Sequence, residues 1–270
     1  MEILFPGLVG DQAEVVVAEL STLEFESFWE SDEGLRAYID SSVLDHAALD
    51  ALAERYGLEY REEDATVSNW TPAQQDDPEP LWLAQGRLYV RGSEHPEAPE
   101  AEVSLVIDPK LSFGSGHHPT TALCVDWMMD EQWHGLQVCD VGTGSGILAL
   151  LAERLGAAGV MAFDNNPWAI AVGQQNAALN GSQVVEFFTA EPVEHQPDGG
   201  YPLVLANLNA MAIRATMAAV ARLVAEGGRL LLSGYTDADA EEMHGLAEAQ
   251  GLRLMDTRRE AEWWATVWAR

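Results

Sequence analysis

Val138-Cys139-Asp140-Val141-Gly142-Thr143-Gly144-Ser145-Gly146-Ile147 is the stretch on which the reading of this 270-residue chain turns. The apolar run up to Val141 reads as a strand, the three alternating glycines as a tight turn, and the run from Ile147 as the start of a helix. Glycines let the backbone pass close to a ligand, and a helix start presents free N–H groups to it. The order strand, glycine turn, helix marks a nucleotide-cofactor loop. The strict dinucleotide pattern G-x-G-x-x-G fails, because from Gly142 its third glycine falls on Ile147 and from Gly144 on Ala149. Only the relaxed form ending in Ala survives, so the turn alone leaves the cofactor open.

Outward from this turn, strands alternate with helices over residues 103–270. Strands are expected at Gln137–Val141, Gly159–Asp164, Val184–Thr189, Leu203–Asn207, Arg229–Ser233, Leu252–Thr257 and Trp263–Trp268. Helices are expected at Thr120–Met129, Ile147–Leu155, Pro167–Asn180, Ala210–Val224 and Ala238–Gln250. Such crossovers imply an α/β, Rossmann-like domain with a mostly parallel sheet, whose last two strands must pair antiparallel across their short connection. Residues 1–64 read β-α-β-β-α-β, the order of a small ferredoxin-like α+β domain. Residues 65–102, interrupted by Pro72, Pro78, Pro80, Pro96 and Pro99, read as a linker with strand-like Arg87–Val90 inside it.

Three strand ends sharpen the chemistry. Asp164 closes the next strand, 24 residues after Asp140, where a carboxylate can accept hydrogen bonds from both ribose hydroxyls. Asp140 either supports the glycine turn or meets a cationic cofactor. Asn207 ends the fourth strand of the sheet, facing the crevice in which open α/β sheets bind ligands. A second glycine-rich stretch, Asp108 to Thr121, leads into a helix and could close over a ligand.

Composition excludes other classes. With 44 acidic and 14 basic residues the formal charge is −30, which disfavours nucleic acid bound through its phosphates. The acids are spread along the chain, 17 of them against 3 basic residues in the first 64 positions, and Lys110 is the only lysine. A salty cytoplasm would screen such self-repulsion. A basic protein fits as partner, because opposite fields speed encounter. No signal peptide or membrane-length apolar run is visible, and a cytoplasmic monomer is expected. Cys124 and Cys139 read as buried thiols, Trp263, Trp264 and Trp268 as an alternating strand, and the scattered histidines carry no metal-ligand spacing.

The stretches DPKLSFGSGHHPTTALC, DVGTGSGILAL, FDNNPWAIAVGQQNAALNG, LANLNA and GGRLLLSG together resemble the bacterial methyltransferase family that modifies large-subunit ribosomal protein L-eleven (L11), PrmA. The resemblance implies a class I methyltransferase domain using S-adenosylmethionine, with a ferredoxin-like domain that grips the ribosomal protein. It implies cofactor contacts at Thr121, Gly142, Gly144, Asp164 and Asn207, with Phe113 and His118 lining the site and Asn207 near the methyl group. His118 is also the one candidate base, against a hydrogen-bonded structural role in the loop. Three positions depart from the family pattern: His117, Asn165 and Asn209. The acceptor must be a neutral amine, so the pocket is expected to be poor in acids. Three alternatives stay open: a methyltransferase for another basic protein, a nicotinamide-dependent oxidoreductase on the same sheet, and a catalytically silent ribosome-associated binding module, against which the intact Gly142, Gly144, Gly146 and Asp164 argue.

Overall fold

The computed structural model describes residues 2–9, 11–20, 23, 25, 27–31, 33–39, 43–63, 79–108, 116, 118–192 and 200–270. Two compact units divide between Gln75 and Asp76.

The first unit runs β1 Glu2–Pro6, α1 Asp11–Leu20, β2 Ser27–Ser31, β3 Gly34–Tyr38, α2 His46–Tyr56 and β4 Arg61–Glu63. Its antiparallel sheet has the order β2-β3-β1-β4, the ferredoxin-like arrangement. Ile3, Phe5, Val16, Leu20, Leu35 and Leu49 bury against one another in its core. Asp45 caps α2 by accepting from the Ala47 and Ala48 amides at 2.9 and 3.1 Å. β4 starts at Arg61 rather than at Leu58 as the sequence suggests. The cause is the helix end: Gly57 turns left-handed (φ 64°) and the Leu58 amide is spent on the Ala53 carbonyl, 2.8 Å away.

The second unit opens with β5 Leu81–Leu83, β6 Leu88–Arg91 and β7 Val103–Val106, which form a sheet in the order β5-β6-β7. From residue 79 onward, then, the stretch read as linker is ordered structure. Its prolines punctuate strand ends, while Leu88, Val90 and Leu105 bury in the main core. Residues 64–78 lie outside the described set.

The central sheet contains β8 Gln137–Val141, β9 Gly159–Asp164, β10 Val185–Thr189, β11 Tyr201–Asn207, β12 Val224–Thr236, β13 Arg253–Glu260 and β14 Trp263–Ala269. Their order is β10-β9-β8-β11-β12-β14-β13, and β14 alone runs antiparallel to its neighbours. The intervening helices are α3 Pro119–Met129, α4 Ile147–Arg154, α5 Pro167–Asn180, α6 Ala210–Leu223 and α7 Ala240–Ala249. Strand order reverses at β8, which has β9 on one side and β11 on the other. Both faces are covered: Val138 belongs to one core, Cys139 and Val141 to the other. That explains apolar runs without a polar alternate. β14 behaves likewise, sending Ala265 and Val267 into one core and Trp268 into the other, so its expected in-and-out alternation is an alternation between two interiors. Among the described residues no helix is long and apolar enough to cross a membrane.

Arginines on the surface are mostly paired, Arg87 with Glu102 and Asp130, Arg214 with Asp239 and Glu242, Arg259 with Asp237. With 44 acids against 14 bases, carboxylates outnumber cations about threefold, and their repulsion falls as the Debye length shortens to about 3 Å at 1 M salt. The melting temperature is therefore expected to rise between low salt and molar KCl. A flat or falling melting temperature would show that self-repulsion does not limit stability.

Candidate cofactor site

The glycine turn is held from all sides. Gly142, Gly144 and Gly146 have φ of 68°, 53° and 81°, a region that side-chain-bearing residues rarely adopt. The Gly142 and Thr143 amides donate to the Phe163 carbonyl on the neighbouring strand, at 2.9 and 3.1 Å. The Gly144 amide donates to Asp164 Oδ2 at 3.0 Å, so the turn and the acid of the second strand are directly bonded. Space is tight as well: a Cβ at 142 would stand 2.3 Å from Leu208 Cδ2 and one at 146 would stand 2.9 Å from Phe187 Cζ, so those side chains would have to shift. α4 then starts at Gly146 with no side-chain cap.

Asp140, expected to support the turn or to meet a cation, does the former. It is 1% exposed, accepts from Thr143 Oγ1 at 2.7 Å, and receives the Ala149 amide of α4. Burial pushes its carboxyl up from 3.8 to about 7; the Thr143 hydrogen bond opposes this and the charge of Asp164 adds to it. Asp164 sits half-buried at the end of β9. Its Oδ1 accepts from the Asn166 amide at 3.0 Å, as Oδ2 does from Gly144. A carboxylate offers about four acceptor sites, so capacity for two hydroxyls remains. Burial raises this carboxyl too, and the two amides hold it back.

Asn207 ends β11 on the far side of β8. Ala206 is in register with Val141, and Val141 with Phe163, so Asp164 and Asn207 stand one residue beyond a common row. Two strand spacings separate them, roughly 10 Å. Asn207 Nδ2 lies 3.4 Å from Thr121 Oγ1 in the first turn of α3, where Thr121 is 2% exposed. His118 is the N-cap of α3: its Nδ1 accepts from the Thr120 amide at 3.3 Å and lies 2.7 Å from Thr120 Oγ1. Its ring meets Trp263 edge-on at 4.6 Å, and burial lowers its pKa. Phe113 and His117 lie outside the described residues. Of the other departures from the family pattern, Asn209 caps α6 through the Ala212 amide at 2.8 Å, and Asn165 donates to Glu191 at 3.1 Å.

Sequence reasoning missed Leu208, which fills the space over Gly142, and Asn176, whose amide reaches the Ser145 carbonyl. The second had a signal: Asn176 falls on the buried stripe of α5 with Ala169, Ile170, Val172 and Gly173. A cavity lined by Arg91, Ser104, Arg154 and Asn180 lies at the C-terminal ends of α4 and α5, away from the glycine turn at the opposite end of α4. It has no part in this site.

This sheet order, with a glycine turn at the reversal point and an acid closing the adjacent strand, defines a class I methyltransferase fold. Residues 6–270 match the family model described as ribosomal protein L11 methyltransferase (PrmA). The ribosomal protein L11 methyltransferase of Porphyromonas gingivalis is 34% identical over 255 residues, 93% of this chain and 88% of the relative. That of Neisseria gonorrhoeae is 33% identical, covering 88% of this chain and 79% of the relative. Among solved structures, the ribosomal protein L11 methylase of Lactobacillus delbrueckii subsp. bulgaricus superposes with a TM-score of 0.63 at 25% identity, over 69% of this chain and 96% of that one. The chain belongs to the ribosomal protein L11 methyltransferase family.

The raised carboxyl of Asp140 has a pH consequence. An acid whose folded pKa exceeds its unfolded one stabilises the fold below the unfolded value, and that stability is lost as pH rises through the folded value. Without ligand, the wild type should therefore lose stability relative to Asp140→Asn between about pH 4 and about pH 7. Parallel melting-temperature profiles of the two proteins would contradict a buried, titrating Asp140.

Proposed function

We propose that the chain transfers methyl groups from S-adenosylmethionine to amino groups of ribosomal protein L11, on lysine side chains, the N-terminal amine or both. The observation that carries the reading is the bond from the Gly144 amide to Asp164, which sets a close-approach turn beside a carboxylate with acceptor capacity to spare. The site fits a nucleoside cofactor on those grounds. When bound, S-adenosylmethionine supplies a methyl group on a sulfonium, open to in-line displacement.

Each residue of this chain then has a task. Asp164 accepts the ribose hydroxyls, while Gly142 and Gly144 keep side-chain bulk out of the turn. Asn207, steadied by Thr121, lines the crevice beside the transferred methyl, and the family resemblance assigns Phe113 to the cofactor contacts. His118 is a capping residue in this reading. With Nδ1 accepting from Thr120, the neutral ring carries its proton on Nε2 and offers no free acceptor for an amine proton. A lysine ammonium has a pKa of about 10.4, and removing it from water lowers that value. Desolvation in an acid-poor pocket, rather than a dedicated base, prepares the nucleophile.

The acidic surface acts at longer range. Its field draws in a basic protein, and the ferredoxin-like unit, with 17 acids and 3 bases in residues 1–64, is the part that grips it. The same charge keeps duplex nucleic acid away. A monomer working in the cytoplasm completes the proposal.

Incubation with labelled cofactor and separated ribosomal proteins is expected to label L11. Label on a different basic protein would select the alternative substrate. Binding of a reduced nicotinamide cofactor, with none of S-adenosylmethionine, would select the oxidoreductase. Asp164→Ala should weaken cofactor binding by about 1–3 kcal/mol, the cost of hydroxyls left without partners. Unchanged affinity in calorimetry would remove Asp164 from the site.

A further inference from the structure

Asn176 lies in α5 with its side chain completely buried, and it ties together two segments distant in sequence. Its Nδ2 donates to the Ser145 carbonyl at 2.9 Å, and its Oδ1 accepts from the Asp108 amide at 2.9 Å. One helical turn later, Asn180 serves β7 and, through Nδ2, the Asn176 backbone carbonyl at 2.8 Å. Its Oδ1 accepts from the Val106 amide at 2.9 Å, and its Nδ2 donates to the Val106 carbonyl at 2.6 Å. β7 is an edge strand, so the two asparagines together let a helix stand in for a missing neighbour strand. Only Asn176 also reaches the glycine turn.

That second contact matters because of what the turn is made of. Three glycines in five residues have more backbone freedom than residues carrying a Cβ would, so one conformation has to be imposed from outside. The Ser145–Gly146 peptide is pinned at both ends, its N–H by the Thr143 carbonyl at 2.8 Å and its C=O by Asn176. α5 is close enough to do this because Gly173, one turn earlier, lies against Gly146: a Cβ there would stand 3.4 Å from Gly173 Cα. Ser145 is 1% exposed, so no solvent replaces the bond if Asn176 is lost.

We propose that Asn176 is a positioning residue for the methyl-transfer site: it holds the glycine turn in its binding conformation and anchors Asp108 to the same helix. Cofactor affinity then depends on a side chain that acts through the Ser145 carbonyl, without touching the ligand itself. The inference rests on the reading of this turn as the S-adenosylmethionine site.

The test compares Asn176→Leu, near-isosteric and uncharged, with Asn180→Ala, which removes the edge-strand bonds and the bond to the Asn176 backbone carbonyl but leaves the Asn176 side chain on Ser145. Both are measured against wild type at a temperature where melting curves show all three folded. Both variants should melt lower. Asn176→Leu should bind S-adenosylmethionine about tenfold more weakly, the equivalent of one buried hydrogen bond, and raise its KM more than it lowers kcat. Asn180→Ala should stay within about twofold of wild type. Unchanged affinity in Asn176→Leu, or an equal loss in Asn180→Ala, overturns the proposal and leaves a packing role. Failure of the wild type to bind would instead overturn the cofactor reading beneath it. Should Asn176→Leu not fold, Asn176→Asp gives the same answer. Its protonated carboxyl can still donate to Ser145 and its ionised form cannot, so affinity should fall relative to wild type as pH rises. A constant ratio to wild type overturns the proposal.

Discussion

The hydrogen bond from the Gly144 amide to the Asp164 carboxylate is the constraint on which the rest of the site depends. It requires Gly144 to be left-handed, which puts glycine at that position, and it requires β8 and β9 to be parallel neighbours so that turn and acid meet at one edge. The two amides donated to the Phe163 carbonyl lock the same junction from the backbone side. Burial raises the pKa of Asp164, and the amides of Gly144 and Asn166 oppose that rise, favouring the charged form. The protein thus keeps a partly buried carboxylate with spare acceptors at a point that water alone would not prepare.

A second, more deeply buried acid follows from the same logic. Asp140 is buried completely enough that its ionised form is costly, and its partners, Thr143 and the Ala149 amide, both belong to the turn or to the helix after it. Its role is to brace the turn from beneath. Leu208 braces it from above by filling the volume over Gly142, and in doing so joins the turn to the strand end that carries Asn207. Gly234, whose Cβ would come within 2.0 Å of the Leu208 carbonyl oxygen, lets β12 close on that junction. The glycine turn, Asp164 and Asn207 are therefore one packed unit.

How much of this could be read in the sequence depended on whether the cause was local. α5 was legible to the residue, because Asn166 caps it, Pro167 opens it and Gly181 closes it left-handed. The glycine turn and the acid of β9 were legible because backbone conformation and strand ends leave fixed marks. Of β5 to β7 only β6 left a mark, as strand-like Arg87–Val90: around it prolines dominate the local reading, whereas the burial of Leu88, Val90 and Leu105 is decided by helices elsewhere in the chain. Asn176 escaped notice for a similar reason, since a polar residue on a buried stripe gains its meaning only once β7 and the turn are placed on either side of it. His118 was read as a loop residue, either base or structural, and its capping geometry supports the structural reading.

The central claim is that a sulfonium nucleoside lies across the strand ends between Asp164 and Asn207. A crystal structure of the chain grown with S-adenosylhomocysteine tests it most directly. The account predicts the ribose hydroxyls on the Asp164 carboxylate, with the Gly144 amide still bonded to it. A ribose bound elsewhere, or a turn that abandons Asp164 when the ligand enters, would contradict it.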